Sequence, residues 1–92
     1  MHDTILLREA IGETIRDLRM QAHRTLREVS ADAQMSLGYL SEIERGQKEA
    51  SSEVLSAIAD ALDVSVGTLM SEVAERMLAY ESDSVVTLRL AA

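Results

Sequence analysis

The fold of this 92-residue chain is decided by residues 25–46, TLREVSADAQMSLGYLSEIERG, which have the pattern of two short helices joined by a tight turn. Thr25 and Glu28 have the spacing of a capping box, which predicts that the first helix of the pair begins at Leu26. Ser36 is the expected N-cap of the second helix. The stretch is therefore predicted to form a helix-turn-helix.

The two faces of this helix pair differ in character. The inward positions carry small or apolar residues, namely Val29, Ser30, Ala33, Met35, Leu40 and Ile43. The outward positions of the second helix are Ser36, Leu37, Gly38, Ser41, Glu42 and Arg45. An outward face that is neither long nor strongly charged suits insertion into the major groove of DNA. The alternative is that two amphipathic helices pack together without binding anything.

The run SLGYLSEIERG, residues 36–46, resembles the recognition helix of the XRE family of lambda-repressor-like DNA-binding domains. That resemblance covers residues 11–70 or so. The segments TLREVS (25–30) and KEASSEVLSAI (48–58) make the chain more similar to the actinobacterial regulators of Clp protease genes. The resemblance implies an all-α, five-helix domain that regulates transcription by binding DNA, here as an activator of Clp protease and stress genes.

Two positions depart from the XRE pattern, in which a glycine with positive φ is usual. They are His23, after the first helix, and Gln34, in the turn of the motif. Histidine is among the side chains enriched at positive φ, whereas glutamine is not. The geometry of the turn around Gln34 is the less certain of the two.

The outward face and the resemblance together imply roles for single residues. Base edges would be read by Ser36, Leu37, Gly38, Ser41 and Glu42, because leucine meets a thymine methyl, serine donates or accepts, and glutamate accepts from cytosine. Phosphates would be contacted by Thr25, Leu26, Arg27, Tyr39, Arg45 and Lys48. The XRE pattern further implies a partly buried salt bridge between Arg19 and Glu44, which would fix the recognition helix against the first helix.

The composition bounds the fold and excludes several functions. Apolar residues make up 47% of the chain and aromatic residues only 2%, with no proline and four glycines, which favours uninterrupted helices around one aliphatic core. The absence of cysteine excludes disulfides and thiol chemistry. His2 and His23 lack a third ligand at metal spacing, and no base has a positioned partner. No metal, cofactor or enzymatic activity is expected.

A formal net charge of −7 argues against binding to nucleic acid, but the charge is unevenly distributed. Residues 1–48 hold seven Arg or Lys and eight Asp or Glu, whereas residues 49–92 hold two and eight. The acidity therefore lies away from the helix-turn-helix. Residues 16–48 carry a balance of +1, a weak basic footprint that favours binding as a dimer.

Three further helices are predicted around the motif. Helix 1 is expected over residues 5–22 with Asp3 or Thr4 as its cap, and helix 4 after Ser51 or Ser52. Helix 5 is expected from the Ser65 cap to about Tyr80, so that the domain spans residues 5–80. Its surplus length predicts a dimer seam at Val73, Met77 and Leu78, with Leu6 or Leu7 beside it. The alternative is that helix 5 wraps its own domain.

Residues 81–92 are predicted to form a flexible, extended tail, because four polar residues precede a β-branched run. The tail ends in Leu90, Ala91 and Ala92, which resemble the end of the tag that directs bacterial polypeptides to Clp proteases. A degradation signal is therefore expected there. The alternative is that small residues at a chain end carry no message.

The expected partners follow from these interpretations. They are double-stranded DNA with an inverted-repeat operator, a second copy of the chain, RNA polymerase, and Clp protease at the C-terminus. No leader or membrane span is apparent, which predicts a cytoplasmic protein. In the alternative interpretation, the XRE fold serves as a protein-binding adaptor, such as a coactivator bridge or an antitoxin, and the net charge of −7 suits that role.

Overall fold

A computed structural model describes the backbone of residues 5–91 and the side chains of residues 5–82, and this part of the chain holds five helices and no strand. The helices are α1 (Leu7–Gln21), α2 (Leu26–Asp32), α3 (Leu37–Glu44), α4 (Ser52–Ala61) and α5 (Val66–Ala91). The predicted all-α, five-helix architecture is confirmed.

Hydroxyl side chains begin four of the five helices, as predicted. Thr25 and Glu28 form the capping box of α2, in which the Glu28 N–H donates to Thr25 Oγ1 at 3.0 Å and the Thr25 N–H donates to Glu28 Oε1 at 2.9 Å. Ser36, Ser51 and Ser65 each accept a hydrogen bond from the backbone N–H three residues ahead. These caps satisfy amides that a helix start leaves without a partner.

The start of α1 corrects the expected boundary. The helix begins at Leu7 with Leu6 as N-cap, whereas Asp3 and Thr4, the expected caps, lie outside the described residues. The Leu6 N–H donates to Glu9 Oε1 at 3.0 Å. The glutamate three residues ahead thus serves this helix start, and no hydroxyl N-cap is needed.

Helices α1 to α4 all end in the same way, with one residue of positive φ after the C-cap. These residues are His23 (φ 56°), Gln34 (φ 57°), Gly46 (φ 72°) and Asp63 (φ 58°). Each N–H donates to the carbonyl three residues back, and the following N–H donates to the carbonyl five residues back. This is the Schellman motif. Gln34 and His23 therefore adopt the conformation usually given to glycine, and the turn of the helix-turn-helix keeps its ordinary geometry.

The core is aliphatic and draws on every helix. Its buried apolar residues are Ile5, Ala10, Ile11, Ile15, Leu18, Val29, Leu40, Ile43, Ile58, Ala59, Leu62, Leu69 and Val73. The inward positions predicted for the helix-turn-helix are among them, while Met35 packs against the core from a half-buried position. Helix α1 crosses both α3 and α5, so it is the element on which the recognition helix is mounted.

Helix α5 corrects the prediction for the tail. It was expected to end near Tyr80, but it continues to Ala91, so residues 81–91 are helical instead of extended. The polar residues 81–84 contain no proline or glycine, and so nothing in them breaks a helix. The strand preference of the following β-branched residues depends on context and did not decide the structure.

The position of Val73 corrects part of the expected dimer seam. Val73 is 2% exposed and lies in the core of its own chain, so it has no surface to offer a partner. Met77 is half-buried against the same core, whereas Leu78 is 62% exposed. The first turns of α5 thus wrap their own domain. Leu6 and Leu7, both more than half exposed, remain apolar surface at the start of α1.

Within residues 5–91, no single helix is both long and apolar enough to cross a membrane. Helices α4 and α5 reach that length and composition only when taken together, and they meet at a bend of 102°. Their apolar residues Ile58, Leu62 and Leu69 are buried in the core of the domain.

Candidate nucleic-acid interface

The recognition helix α3 crosses α1 at a glycine. A Cβ added to Gly12 would lie 2.6 Å from the carbonyl oxygen of Glu44 and closer still to that of Ile43. Side chains cannot approach a backbone so closely, so only glycine permits this crossing. The sequence patterns did not single out Gly12. A glycine inside a helical pattern is a signal for close packing, but it does not name the partner.

A single guanidinium joins the three helices of this region. Arg19 Nε donates to Glu44 Oε2 at 2.7 Å, and its Nη2 donates to Glu44 Oε1 at 3.0 Å. The Arg19 Nη1 donates to the carbonyl of Arg24, just before α2, at 2.9 Å. The side chains of Arg19 and Glu44 are only 13% and 6% exposed. The structure thus brings these two residues together as a two-pronged pair from α1 to the last turn of α3.

The pair also changes the acidity of its arginine. The hydrogen bond to Glu44 raises the pKa of Arg19 above its ordinary value, and burial opposes this effect without cancelling it. Arg19 therefore stays charged wherever the protein is folded. A permanent charge held on both carboxylate oxygens sets the angle between α1 and α3.

The outward face of α3 is open at its N-terminal end. Ser36, Leu37 and Gly38 are exposed, with Leu37 exposed by 37%, and a Cβ at Gly38 would meet nothing within 4 Å. Ser41 and Glu42 follow on the next turn and are half-buried. The five residues predicted to read bases therefore lie along one accessible helix edge.

Arg45 organises the other end of this edge. Its Nη1 donates to Ser41 Oγ, one turn back on the helix, and its Nη2 lies 3.4 Å from Gln47 Oε1. A groove lined by Arg16, Arg19, Leu26, Ser41, Glu44 and Arg45 runs between α1, α2 and α3. Gln47 and the exposed Arg16 were not predicted as site residues. Arg16 carried a signal in the local charge balance, whereas Gln47 carried none.

Two of the predicted phosphate contacts have other neighbours. The Thr25 N–H already donates to Glu28 Oε1, so a carboxylate lies where a phosphate was expected at the start of α2. The Tyr39 hydroxyl lies 3.5 Å from the carbonyl oxygen of Glu49, against the loop that follows α3. Leu26 is half-buried against the core. Of the predicted set, Arg27, Arg45 and Lys48 are the exposed cations.

These features define a helix-turn-helix protein with an accessible second helix, and the chain belongs to the XRE-type helix-turn-helix family. The family model HTH_3, described as helix-turn-helix, matches residues 15–69. Members of this class regulate transcription by binding DNA. The prediction that the chain is a regulator and not an enzyme agrees with its relatives.

A particular group of regulators is similar over most of the chain. The transcriptional regulator ClgR of Mycobacterium tuberculosis H37Rv is 54% identical over 76 residues, which cover 83% of this chain and 68% of that protein. The crystal structure of the clp gene regulator ClgR from Corynebacterium glutamicum matches with a TM-score of 0.87 and 40% identity, over 95% of this chain and 93% of that one.

The same fold occurs at much lower identity. The restriction-modification controller protein C.Esp1396I, solved as a tetramer in complex with its natural 35-base-pair operator, matches with a TM-score of 0.76 and 20% identity, over 80% of this chain and 97% of that one. At this identity the likeness extends to the fold alone.

Proposed function

We propose that the protein is a sequence-specific DNA-binding regulator that activates genes for Clp proteases and related stress functions. The observation that carries the proposal is the open N-terminal edge of α3, mounted rigidly on α1 by Gly12 and by the Arg19–Glu44 pair. The similarity to ClgR proteins, which include a clp gene regulator, supports the choice of target genes.

Base reading is assigned to the exposed edge of α3. Leu37 meets a thymine methyl, Ser41 donates to or accepts from a base edge, and Glu42 accepts from a cytosine amino group. Ser36 and Gly38 allow the backbone to approach the bases, because Gly38 has open space around it. The hydrogen bond from Arg45 to Ser41 leaves the serine hydroxyl hydrogen available for a base.

Phosphate contacts are assigned to the cations around this edge. Arg27, Arg45 and Lys48 are exposed and lie on α2, at the end of α3 and in the following loop. Arg16 is added to this set because it lines the same groove as Arg45. Tyr39, Thr25 and Leu26 are minor contributors, since each is engaged by other groups or half-buried.

The working form is a homodimer on an inverted repeat. Leu78 and Met77 on α5, with Leu6 and Leu7 at the start of α1, supply the apolar surface for the seam. Two recognition helices related by a two-fold axis meet half-sites about 34 Å apart. Dimerisation doubles the number of cations on the DNA and so compensates for the weak basic balance of one chain.

Two further partners belong to the proposal. Activation requires contact with RNA polymerase at the promoter, and a regulator of this kind works in the cytoplasm. Leu90, Ala91 and Ala92 are proposed as a degradation signal for Clp protease, which would give negative feedback. Ala92 and the side chains of Leu90 and Ala91 lie outside the described residues. Because the helix reaches Ala91, the protease would have to unwind this end before engaging it.

A second candidate function is a protein-binding adaptor, which the net charge of −7 favours. A salt titration separates the two functions. The DNA affinity of a regulator falls steeply with salt, with a slope of about −0.9 for each phosphate contacted. An adaptor that binds its partner through an apolar interface shows little dependence on salt and no affinity for DNA.

The assignment of roles is tested by exchanging single side chains. Glu42→Gln is expected to change which bases are preferred in a selection from a random pool, because the carboxylate no longer accepts from cytosine. Lys48→Gln is expected to weaken binding to all sequences alike. A uniform loss for Glu42→Gln, with altered preference for Lys48→Gln, would reverse the two assignments.

A further inference from the structure

The loop between α3 and α4 carries cations at the proposed DNA interface, yet it has little secondary structure of its own. It contains Gly46, whose positive φ ends α3, followed by Gln47, Lys48 and Glu49. Lys48 is exposed, and a lysine on a loose loop loses much side-chain and backbone freedom when it binds a phosphate. The position of this loop before binding therefore matters for affinity.

The first turn of α1 holds this loop from one side. Arg8 Nε donates to the carbonyl oxygen of Gly46 at 3.1 Å, and Arg8 Nη1 donates to Glu49 Oε2 at 3.3 Å. The two acceptors lie at the beginning and near the end of the loop, so one guanidinium spans Lys48. A Cβ at Gly46 would lie 3.0 Å from Cγ of Glu9, so the loop also rests directly on α1.

The recognition helix holds the same loop from the other side. The hydroxyl of Tyr39 donates to the carbonyl oxygen of Glu49 at 3.5 Å. The N–H groups of Gly46 and Gln47 donate to Ile43 and Glu42 at 3.0 and 2.9 Å. The loop is thus fixed to α3 by the backbone and by Tyr39, and to α1 by Arg8.

We propose that Arg8 is a positioning residue for DNA binding, which fixes the loop of residues 46–49 so that Lys48 and Arg45 meet the phosphates. This inference rests on the proposed function. Arg8 acts through the loop and does not itself contact DNA, because its guanidinium is directed at the Gly46 carbonyl and its charge is offset by Glu49. The side chain of Arg8 is 41% exposed, so its contribution to global stability is small.

The test compares Arg8→Gln with Lys48→Gln, which removes the same charge from the loop itself. The DNA is a duplex that the unaltered protein selects from a random pool. Arg8→Gln is expected to lower the affinity about fivefold, the size of one hydrogen bond, and to leave the salt slope unchanged. Lys48→Gln is expected to lower the steepness of the slope by about 0.9. Without DNA, amide hydrogen exchange at Gly46 and Gln47 should accelerate in Arg8→Gln and stay the same in Lys48→Gln.

The possible failures of this test are distinct. If the unaltered protein binds its duplex but Arg8→Gln binds equally well, the inference is refuted and the proposed function stands. A reduced salt slope in Arg8→Gln, with unchanged amide exchange, would show that Arg8 contacts a phosphate directly and would also refute the inference. If the unaltered protein selects no duplex, the proposed function fails and the inference falls with it.

Discussion

The two faces of α3 are built for different purposes, and a pair of glycines marks the difference. On the inward face, Leu40 and Ile43 are almost fully buried, and a side chain at Gly12 of α1 would collide with the backbone of α3. On the outward face, Leu37 is exposed and a side chain at Gly38 would meet nothing. The inward face decides whether α3 is held in place, and the outward face is left available for a partner. Substitutions on the two faces should therefore separate stability from binding.

The largest effect is expected from the salt bridge on the inward face. Glu44→Ala leaves the Arg19 guanidinium desolvated without its carboxylate, at a cost of about 3 to 5 kcal/mol in the free energy of unfolding. Urea denaturation measures this change, with Glu53→Ala on the exposed first turn of α4 as a control. An unchanged midpoint for Glu44→Ala would mean that the pair does not fix α3.

Gly12→Ala should be destabilising, although glycine to alanine within a helix ordinarily stabilises by about 0.5 to 1 kcal/mol. The clash with the carbonyl oxygens of Ile43 and Glu44 forces α1 and α3 apart, and such overpacking costs about 3 kcal/mol. The clash therefore outweighs the gain in helix propensity. Thermal unfolding measures the sign, and a rise in Tm would disprove the close crossing.

Gln34→Gly should stabilise the protein by about 1 kcal/mol, because glutamine pays a steric penalty at φ 57° that glycine avoids. The same substitution at Gln47, in the loop after α3, is the control, since Gln47 is not among the residues with positive φ. Chemical denaturation compares the two variants. Equal effects would show that the backbone at Gln34 carries no strain.

The smallest change in stability is expected at Gly38, on the outward face. Gly38→Ala should raise the free energy of unfolding by about 0.5 to 1 kcal/mol, because the new methyl group enters open space in a helix. The same methyl group would separate α3 from the bases, so affinity for a selected duplex should fall. Tighter binding together with higher stability would argue against a backbone approach at this position.

How far the sequence predicts this structure depends on whether a feature is local. Caps such as Thr25 and Ser36 and the inward stripe of α3 depend on nearby residues, and both were predicted correctly. The close approach of Gly12 to α3 depends on residues more than thirty positions away, and no local pattern reveals it. The same holds for Val73, whose apolar character is equally compatible with a core and with a seam.

The candidate site shows the same limit. The outward residues of α3 follow from helical periodicity, so their exposure was predictable. The links from Arg45 to Ser41 and Gln47 join a helix to a loop whose path is set by the positive φ at Gly46 and by contacts with α1. The end of α5 was missed for a different reason, since residues 81–84 are polar but contain no residue that stops a helix.

The central claim is that the outward face of α3 reads DNA sequence from a two-fold dimer, and selection of duplexes from a random pool tests it most directly. The predicted result is enrichment of an inverted repeat whose half-sites lie about 34 Å apart, one turn of the double helix. Enrichment of no sequence, or of a single half-site without symmetry, would contradict the account.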